Sequence, residues 1–369
     1  MSQQDPFDKP FDASVSFVIQ GVHLKLSSND GELVDYVPEH VHPYTLPPLP
    51  SRTETPQIEV NVLWLSEDEF DKEVHRFPGI ERLDKLGKRS RGCGNELVCL
   101  EFVNVKRLQM RFRLDGERLI IDAIQRHTAS RKSEKKRASY LLKEFFRGMM
   151  HFVYYPVAWH LEHFRGLSLL HASAVEIDGR AVVIAGVGGV GKSTTSVALL
   201  AKAGANFISE SLVAHDGTHA YGLYEPIRMG DESLELLGST NGFLCETRID
   251  GSAKKKNLFH VDPSHLVTRA PVGAVFIPSF PADATGGVSP VPPDTCVDRI
   301  LSINGQSRKI TDYYWFASAL GLLWPSPGCG AARVTQLQSL LEHSRTFELR
   351  IDKTAGLDAV VDAIVNHSR

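Results

Sequence analysis

At 369 residues, 42% hydrophobic and 23% charged, the chain is long enough for two domains and has an ordinary globular composition. A formal net charge of −3 argues against a nucleic-acid-binding surface spread over the whole molecule. The five cysteines (Cys93, Cys99, Cys245, Cys296, Cys329) include no C-x-x-C pair, which suits a reducing cytoplasm better than a disulfide framework or a structural zinc site.

The polar, acidic start Met1-Ser2-Gln3-Gln4-Asp5-Pro6 gives no secretory signal, and no apolar run approaches the ~20 residues of a membrane span. The expectation is a cytoplasmic protein with no membrane or nucleic-acid partner. Strand-like pieces come first, at Val15–Gln20 and Val22–Leu26, then a proline-rich link over Pro43–Pro50 that no helix interior or central strand admits. Further strands are expected at Ile58–Trp64 and Val98–Val103, with a hairpin of Met110–Leu114 and Arg118–Ala123 about Asp115-Gly116. The basic run Arg131–Arg137 contains Glu134 and precedes helix-like sequence, so it reads as a solvated helix start. Helices are expected over about 138–165. Within them, His160-Leu161-Glu162-His163 lacks the i, i+4 histidine spacing of a zinc-protease helix and reads as a helix-end cluster.

The second half opens with Leu169–Ile177, read as one hairpin arm that turns at Asp178-Gly179 into the apolar strand Arg180–Ala185. Next comes Gly186-Val187-Gly188-Gly189-Val190-Gly191-Lys192-Ser193, which meets the phosphate-loop pattern G-x-x-x-x-G-K-S/T at every fixed position. Ser193–Lys202 follows as a helix. The order of strand, glycine loop and helix suits triphosphate binding: the backbone N–H groups from Gly186 to Thr194 aim at phosphate oxygens, and the helix dipole adds positive potential. Lys192 is expected on the β- and γ-phosphates, with the Ser193 hydroxyl on Mg²⁺. A short strand, Ala205–Ser209, then ends in the acid Glu210. Later strands near 273–277 and 347–351 and a closing amphipathic helix over 357–365 complete the reading.

A guanine-reading N-K-x-D, a hydrophobic strand ending in Asp-Glu and an L-S-G-G-Q are all missing, which leaves a small kinase-like module. The segment from Leu170 to Val213 resembles the HPr serine kinase/phosphorylase group and its kinase relatives, such as those of lasso-peptide clusters. That group shares its fold with phosphoenolpyruvate carboxykinase, including the hairpin into the phosphate loop. The resemblance carries usable motifs over roughly residues 160–280.

It implies an α/β phosphate-loop kinase domain at 165–369, preceded by a mainly β accessory, acceptor-selecting domain at 1–164. It also implies ATP as nucleotide, Mg²⁺ as cofactor, and a hydroxyl-bearing protein, peptide or small metabolite as phosphoryl acceptor. By the same resemblance His171 lies near the transfer site, Glu225 binds Mg²⁺, and Arg228 offsets transition-state charge. Homo-oligomers occur among such relatives.

The chain departs from the pattern at Glu210-Ser211, where the group carries two adjacent Asp, one of them the base for the attacking hydroxyl. If Glu210 fills that role, kinase chemistry follows. If the base belongs at Ser211, the chain is a catalytically inactive ATP-binding regulator. A plain NTPase is the third reading. Lys254-Lys255-Lys256 reads as a solvated loop, and no glycine-spaced segment for phosphorolysis is present.

Overall fold

The computed structural model describes residues 5–8, 11–41, 55–72, 77–102, 105, 107–129, 132–238, 243–246, 256–282, 285–325, 329–352 and 354–369. The chain is a mixed α/β protein that divides into two compact units, 1–164 with 312–327, and 165–311 with 328–369. The sequence reading placed 312–327 in the second half, but it packs with the first unit, where Phe316 meets Phe102 and Phe112 edge-on at 5.4 and 5.7 Å between ring centroids. The proline-rich link at 43–50 and Lys254-Lys255 lie outside the described residues, as does the side chain of Lys256. No helix among the described residues is long and apolar enough to cross a membrane.

The first unit is built on an eight-stranded sheet. Its strands are β1 (Ala13–Ile19), β2 (Val22–Ser28), β3 (Ile58–Ser66), β4 (Asp84–Lys85), β5 (Ser90–Cys93), β6 (Glu96–Cys99), β7 (Leu108–Asp115) and β8 (Arg118–His127), in the order β1-β2-β3-β8-β7-β6-β5-β4. Neighbours are antiparallel except β2 with β3 and β3 with β8. Gln20 and Gly21, at φ 51° and 75°, make the tight turn that joins β1 to β2 with the strands' own twist. Along β3, Ile58, Val60 and Val62 are buried while Glu59 and Asn61 are half-buried, the period-two pattern of a sheet with one drier face.

Helices α1 (Gly31–Val41), α2 (Glu67–Lys72), α3 (Glu134–Met149) and α4 (Tyr155–Arg165) complete this unit, the last two joined by a π-helical turn at Met150–Tyr154. Tyr36 of α1 and Trp64 of β3 both pack on Phe145 of α3, at 5.6 and 5.0 Å. The basic run enters α3 as expected, with Ser133 at the N-cap in extended conformation and Glu134 in the first turn. His160 is buried in α4 with Nε2 3.0 Å from the Glu117 carbonyl, a local role within the helix-end cluster.

The second unit centres on β9 (Ser168–Leu170), β10 (Ala172–Ile177), β11 (Arg180–Ala185), β12 (Asn206–Ser209), β13 (Val213–His215), β14 (His219–Gly222) and a long strand over Arg269–Ser279. A separate antiparallel sheet holds β15 (Ile227–Gly230), β16 (Leu244–Glu246) and β17 (Lys256–Val261), in the order β15-β17-β16. The long strand is thus β18 (Arg269–Ser279), and β19 (Gly287–Pro290) and β20 (Arg345–Arg350) finish the main sheet. β11 lies between β10, antiparallel, and β18, parallel; β18 also pairs in parallel with β20.

The helices described in this part of the chain are α5 (Lys192–Ala203), α6 (Asp231–Leu237), α7 (Pro293–Gln306), α8 (Arg308–Leu320), which from residue 312 on belongs to the first unit, α9 (Cys329–Glu342) and α10 (Gly356–Ser368). Ala181, Val183 and Ala185 of β11 join one apolar cluster with Ile300 and Ile303 of α7 and Leu337, Leu340 and Leu341 of α9. Val182 and Ile184 are buried as well, so β11 is dry on both sides, and this accounts for its unbroken apolar run.

The sequence reading treated Leu169–Ile177 as one arm, but the chain breaks at His171. Leu169 and Leu170 pair with Ala214 and Val213 in β13, whereas Ala172–Ile177 pair with β11. The cause is distant in sequence: the His171 N–H donates 2.9 Å to Asn304 Oδ1 of α7 and leaves the ladder.

Candidate functional site

The parallel pair β11 and β18 run side by side, so both end at the same edge of the sheet, where open α/β sheets place their ligands. From the end of β11 the chain turns through residues 186–191 into α5. Two glycines there have a steric reason. A Cβ on Gly186 would lie 2.6 Å from Val190 Cγ2, and Gly191, at φ 86°, holds a left-handed conformation immediately before the helix. Gly189, at φ 89°, is left-handed too. The rest of the loop, Val187, Gly188 and Val190, connects these turns, and Ser193 and Thr194 open the helix. The Thr194 hydroxyl lies 3.0 Å from that of Ser233 in α6.

Lys192 is buried, 7% exposed, and folds back over the loop. Its ammonium donates 2.7 Å to the Gly186 carbonyl and 3.0 Å to that of Val187, and lies 3.3 Å from His171 Nε2. An ammonium has no lone pair, so Nε2 accepts, and the imidazole proton sits on Nδ1, which donates to the Ser211 carbonyl at 3.0 Å. Burial, then the Lys192 and Lys309 charges, push the His171 pKa down to about 4, so the ring is neutral near pH 7. Burial also lowers Lys192 to about 8; the Lys309 charge works in the same direction and the Glu210 carboxylate against it.

Glu210 directly follows β12 and is nearly buried. Its two oxygens are unequally held: Oε1 accepts the Ser193 hydroxyl at 2.6 Å, and Oε2 is 3.5 Å from the Ser173 hydroxyl. The neighbouring Ser211 donates its hydroxyl 3.2 Å to Glu225 Oε1, and Glu225 forms an ion pair with Lys309 through Oε2. Lys309 also donates to Ser211 Oγ at 2.5 Å. Arg228, by contrast, is an exposed position on β15.

The fold therefore gathers His171, Lys192, Ser193, Glu210 and Glu225 into one group made of two hydrogen-bonded sets, Lys192–His171–Ser211–Glu225 and Ser193–Glu210, joined through the chain neighbours Lys192-Ser193 and Glu210-Ser211. Ser173, Asn304 and Lys309 belong to it too, and sequence reasoning missed all three. Asn304 and Lys309 come from 133 and 98 residues away along the chain, and no local motif marks them. The one available signal was a lone amide, Asn304, in the apolar stripe of an otherwise amphipathic α7.

Beside Gly186 and Val187 opens a cleft of about 310 Å³, walled by Ile277, Pro278 and Ile303, with Asp298, Arg299 and Ser302 at its polar side. Arg299 pairs with Glu348 at 3.0 Å. Among the described residues no three His, Cys, Asp or Glu side chains gather as a ready-made metal cage. Comparison of the chain with known protein families and with curated proteins finds no match.

Proposed function

We propose that the protein is a kinase of the HPr-kinase and carboxykinase type, using ATP and Mg²⁺ to phosphorylate a hydroxyl group. One observation carries the reading: the loop's Lys192 and Ser193 stand next to a buried acid, Glu210, at the end of a strand neighbouring β10. A plain glycine turn would have no reason to bury a cation and a carboxylate within hydrogen-bond reach of its own helix start.

The residues suit the expected groups. Ser193 Oγ and Glu210 Oε1 are adjacent hard oxygen donors, and Mg²⁺ at phosphate sites takes one or two protein oxygens plus phosphates and water, so no full cage is needed. Mg²⁺ would neutralise charge on the β- and γ-phosphates. Glu225 is already neutralised by Lys309, so we assign the metal side to Ser193 and Glu210 rather than to Glu225.

In this reading Lys192 exchanges its loop carbonyls for the β- and γ-phosphates and holds them near Gly186 and Val187. The neutral His171 orients that ammonium by accepting from it and is itself fixed by Ser211 and Asn304. Glu210 Oε2, the weakly held oxygen, takes the acceptor's proton. The acceptor enters through the cleft beside Gly186 and Val187, whose size suits a small metabolite or one side chain of an extended peptide. Transfer of this kind depends mostly on positioning and charge, and a cluster of two lysines, two glutamates and a neutral histidine supplies both.

The test is ADP formation with Mg·ATP, with and without a panel of hydroxylated metabolites and serine peptides. Acceptor-dependent ADP release supports the kinase. Acceptor-independent hydrolysis would make it an NTPase, and tight binding without turnover a nucleotide-dependent regulator.

A further inference from the structure

Lys309, the second residue of α8, is a cation that no motif predicts, and it faces the same group as Lys192. Its side chain is 19% exposed. An ammonium carries three donors. One goes to Ser211 Oγ and one to Glu225 Oε2, and the third has no partner among the described residues. The path from Lys309 to Lys192 runs through the Ser211 hydroxyl, then the Ser211 carbonyl and the His171 ring, with no hydrogen bond in it longer than 3.3 Å. Its charge is felt at the far end, where it acts on both His171 and Lys192.

Two explanations compete. Lys309 either only neutralises the buried Glu225, or it is a second phosphate-binding cation that Glu225 and Ser211 hold in place. A purely neutralising lysine has no need of a further hydroxyl partner, nor of a place in the same chain of contacts as the loop lysine. We propose that Lys309 binds the terminal phosphate and makes the site distinguish a nucleoside triphosphate from a diphosphate. This rests on the nucleotide reading above and adds to it a residue that reads the γ-phosphoryl group. Lys192 sits on the first loop carbonyls and serves the β–γ end in general. Lys309 enters from α8 onto Ser211, the residue after Glu210, and so lies beside the carboxylate that the reading above assigns to the transferring group.

The experiment is calorimetric titration of the full chain, with Mg²⁺, by ADP and by a non-hydrolysable ATP analogue. The variants are Lys309→Met, the double variant Lys309→Met with Glu225→Gln, and Lys192→Met as control. The double variant removes the unpaired carboxylate that the single one leaves buried, so it guards against simple misfolding, with thermal melting as the check. The proposal expects both Lys309 variants to bind the triphosphate analogue about 10- to 100-fold more weakly, the effect of one lost charge-assisted hydrogen bond. ADP affinity should stay within about threefold of wild type, well below one such bond. Lys192→Met should lose both ligands. If folded Lys309 variants weaken both ligands equally, or neither, Lys309 is a clamp for Glu225 and the proposal is overturned. If the wild type itself binds neither ligand, the nucleotide reading fails first, and the Lys309 proposal with it.

Discussion

Both units bury charge, but in opposite ways. In the first, Asp122 lies fully buried in the middle of β8 and both its oxygens are taken: Oδ1 by Asn61 at 2.9 Å, Oδ2 by Arg111 at 2.7 Å and Arg113 at 2.8 Å. Arg111 is held further by Asp5 at 2.6 Å and lies over the rings of Phe7 and Phe77. In the second, Lys192 opens α5, Glu210 follows β12, Glu225 precedes β15 and Lys309 lies near the start of α8, and bonding capacity is left over. Glu210 Oε2 is held only at 3.5 Å and Lys309 keeps a donor in reserve. A saturated charge inside a sheet serves the fold, whereas spare bonding capacity at the strand ends is what the proposed nucleotide site would use.

The contrast breaks if the two clusters respond alike to substitution. The largest effect is expected at Lys192. Lys192→Met should abolish measurable nucleotide binding, a loss of at least about 100-fold by calorimetry, while the melting temperature stays level or rises. Burial disfavours this ammonium, and its direct partners are neutral, two loop carbonyls and the His171 ring, so its removal breaks no buried ion pair. Asp122→Ala should do the reverse. It strands two arginines and should cost about 3–5 kcal/mol by urea denaturation, with the nucleotide affinity of the folded fraction unchanged.

A smaller effect is expected at Ser193→Ala, which should raise the Mg²⁺ concentration needed for half-maximal nucleotide binding roughly tenfold, about one hydrogen bond or ligand contact. Asn304→Ala should cost about 1 kcal/mol in stability through the lost bond to the His171 N–H, and shift the His171 ring resonances in NMR.

The pH dependence sharpens the comparison further. His171 and His215 both have pKa values lowered to about 4, mainly by burial, while an unfolded histidine titrates near 6.5. Between those values the unfolded chain holds more protons, so this part of the stability is complete above about pH 6.5 and is lost as pH falls toward 4. The urea midpoint should drop over that window, and less steeply in His215→Gln.

What the sequence reveals divides along the same line of local against distant causes. The β7–β8 and β10–β11 hairpins, β3, the dry strand β11 and the loop into α5 follow from neighbouring residues: alternation, Asp178-Gly179 and the glycine spacing. The break at His171 does not, because it answers to a side chain on α7. The helices between 293 and 342 go unread although Pro292-Pro293 opens the first and Pro325-Ser326-Pro327-Gly328 precedes the last, and part of α8 leaves its sequence neighbours to pack against Phe102 and Phe112. Helix α1, with Pro38 inside it, also goes unread. Of the candidate site, Gly186–Thr194, His171, Glu210 and Glu225 could be singled out from the sequence and lie close together, whereas Arg228, singled out with them, is an exposed position on β15. That Ser211 is bonded to Lys309 rather than standing alone was not, since the two are 98 residues apart.

The most direct test of the account is a calorimetric titration of wild type and Lys192→Met with ATP and Mg²⁺. The account predicts saturable one-to-one binding that depends on Mg²⁺ in the wild type and disappears in the variant. Equal heats from both proteins, or none from the wild type, would contradict it.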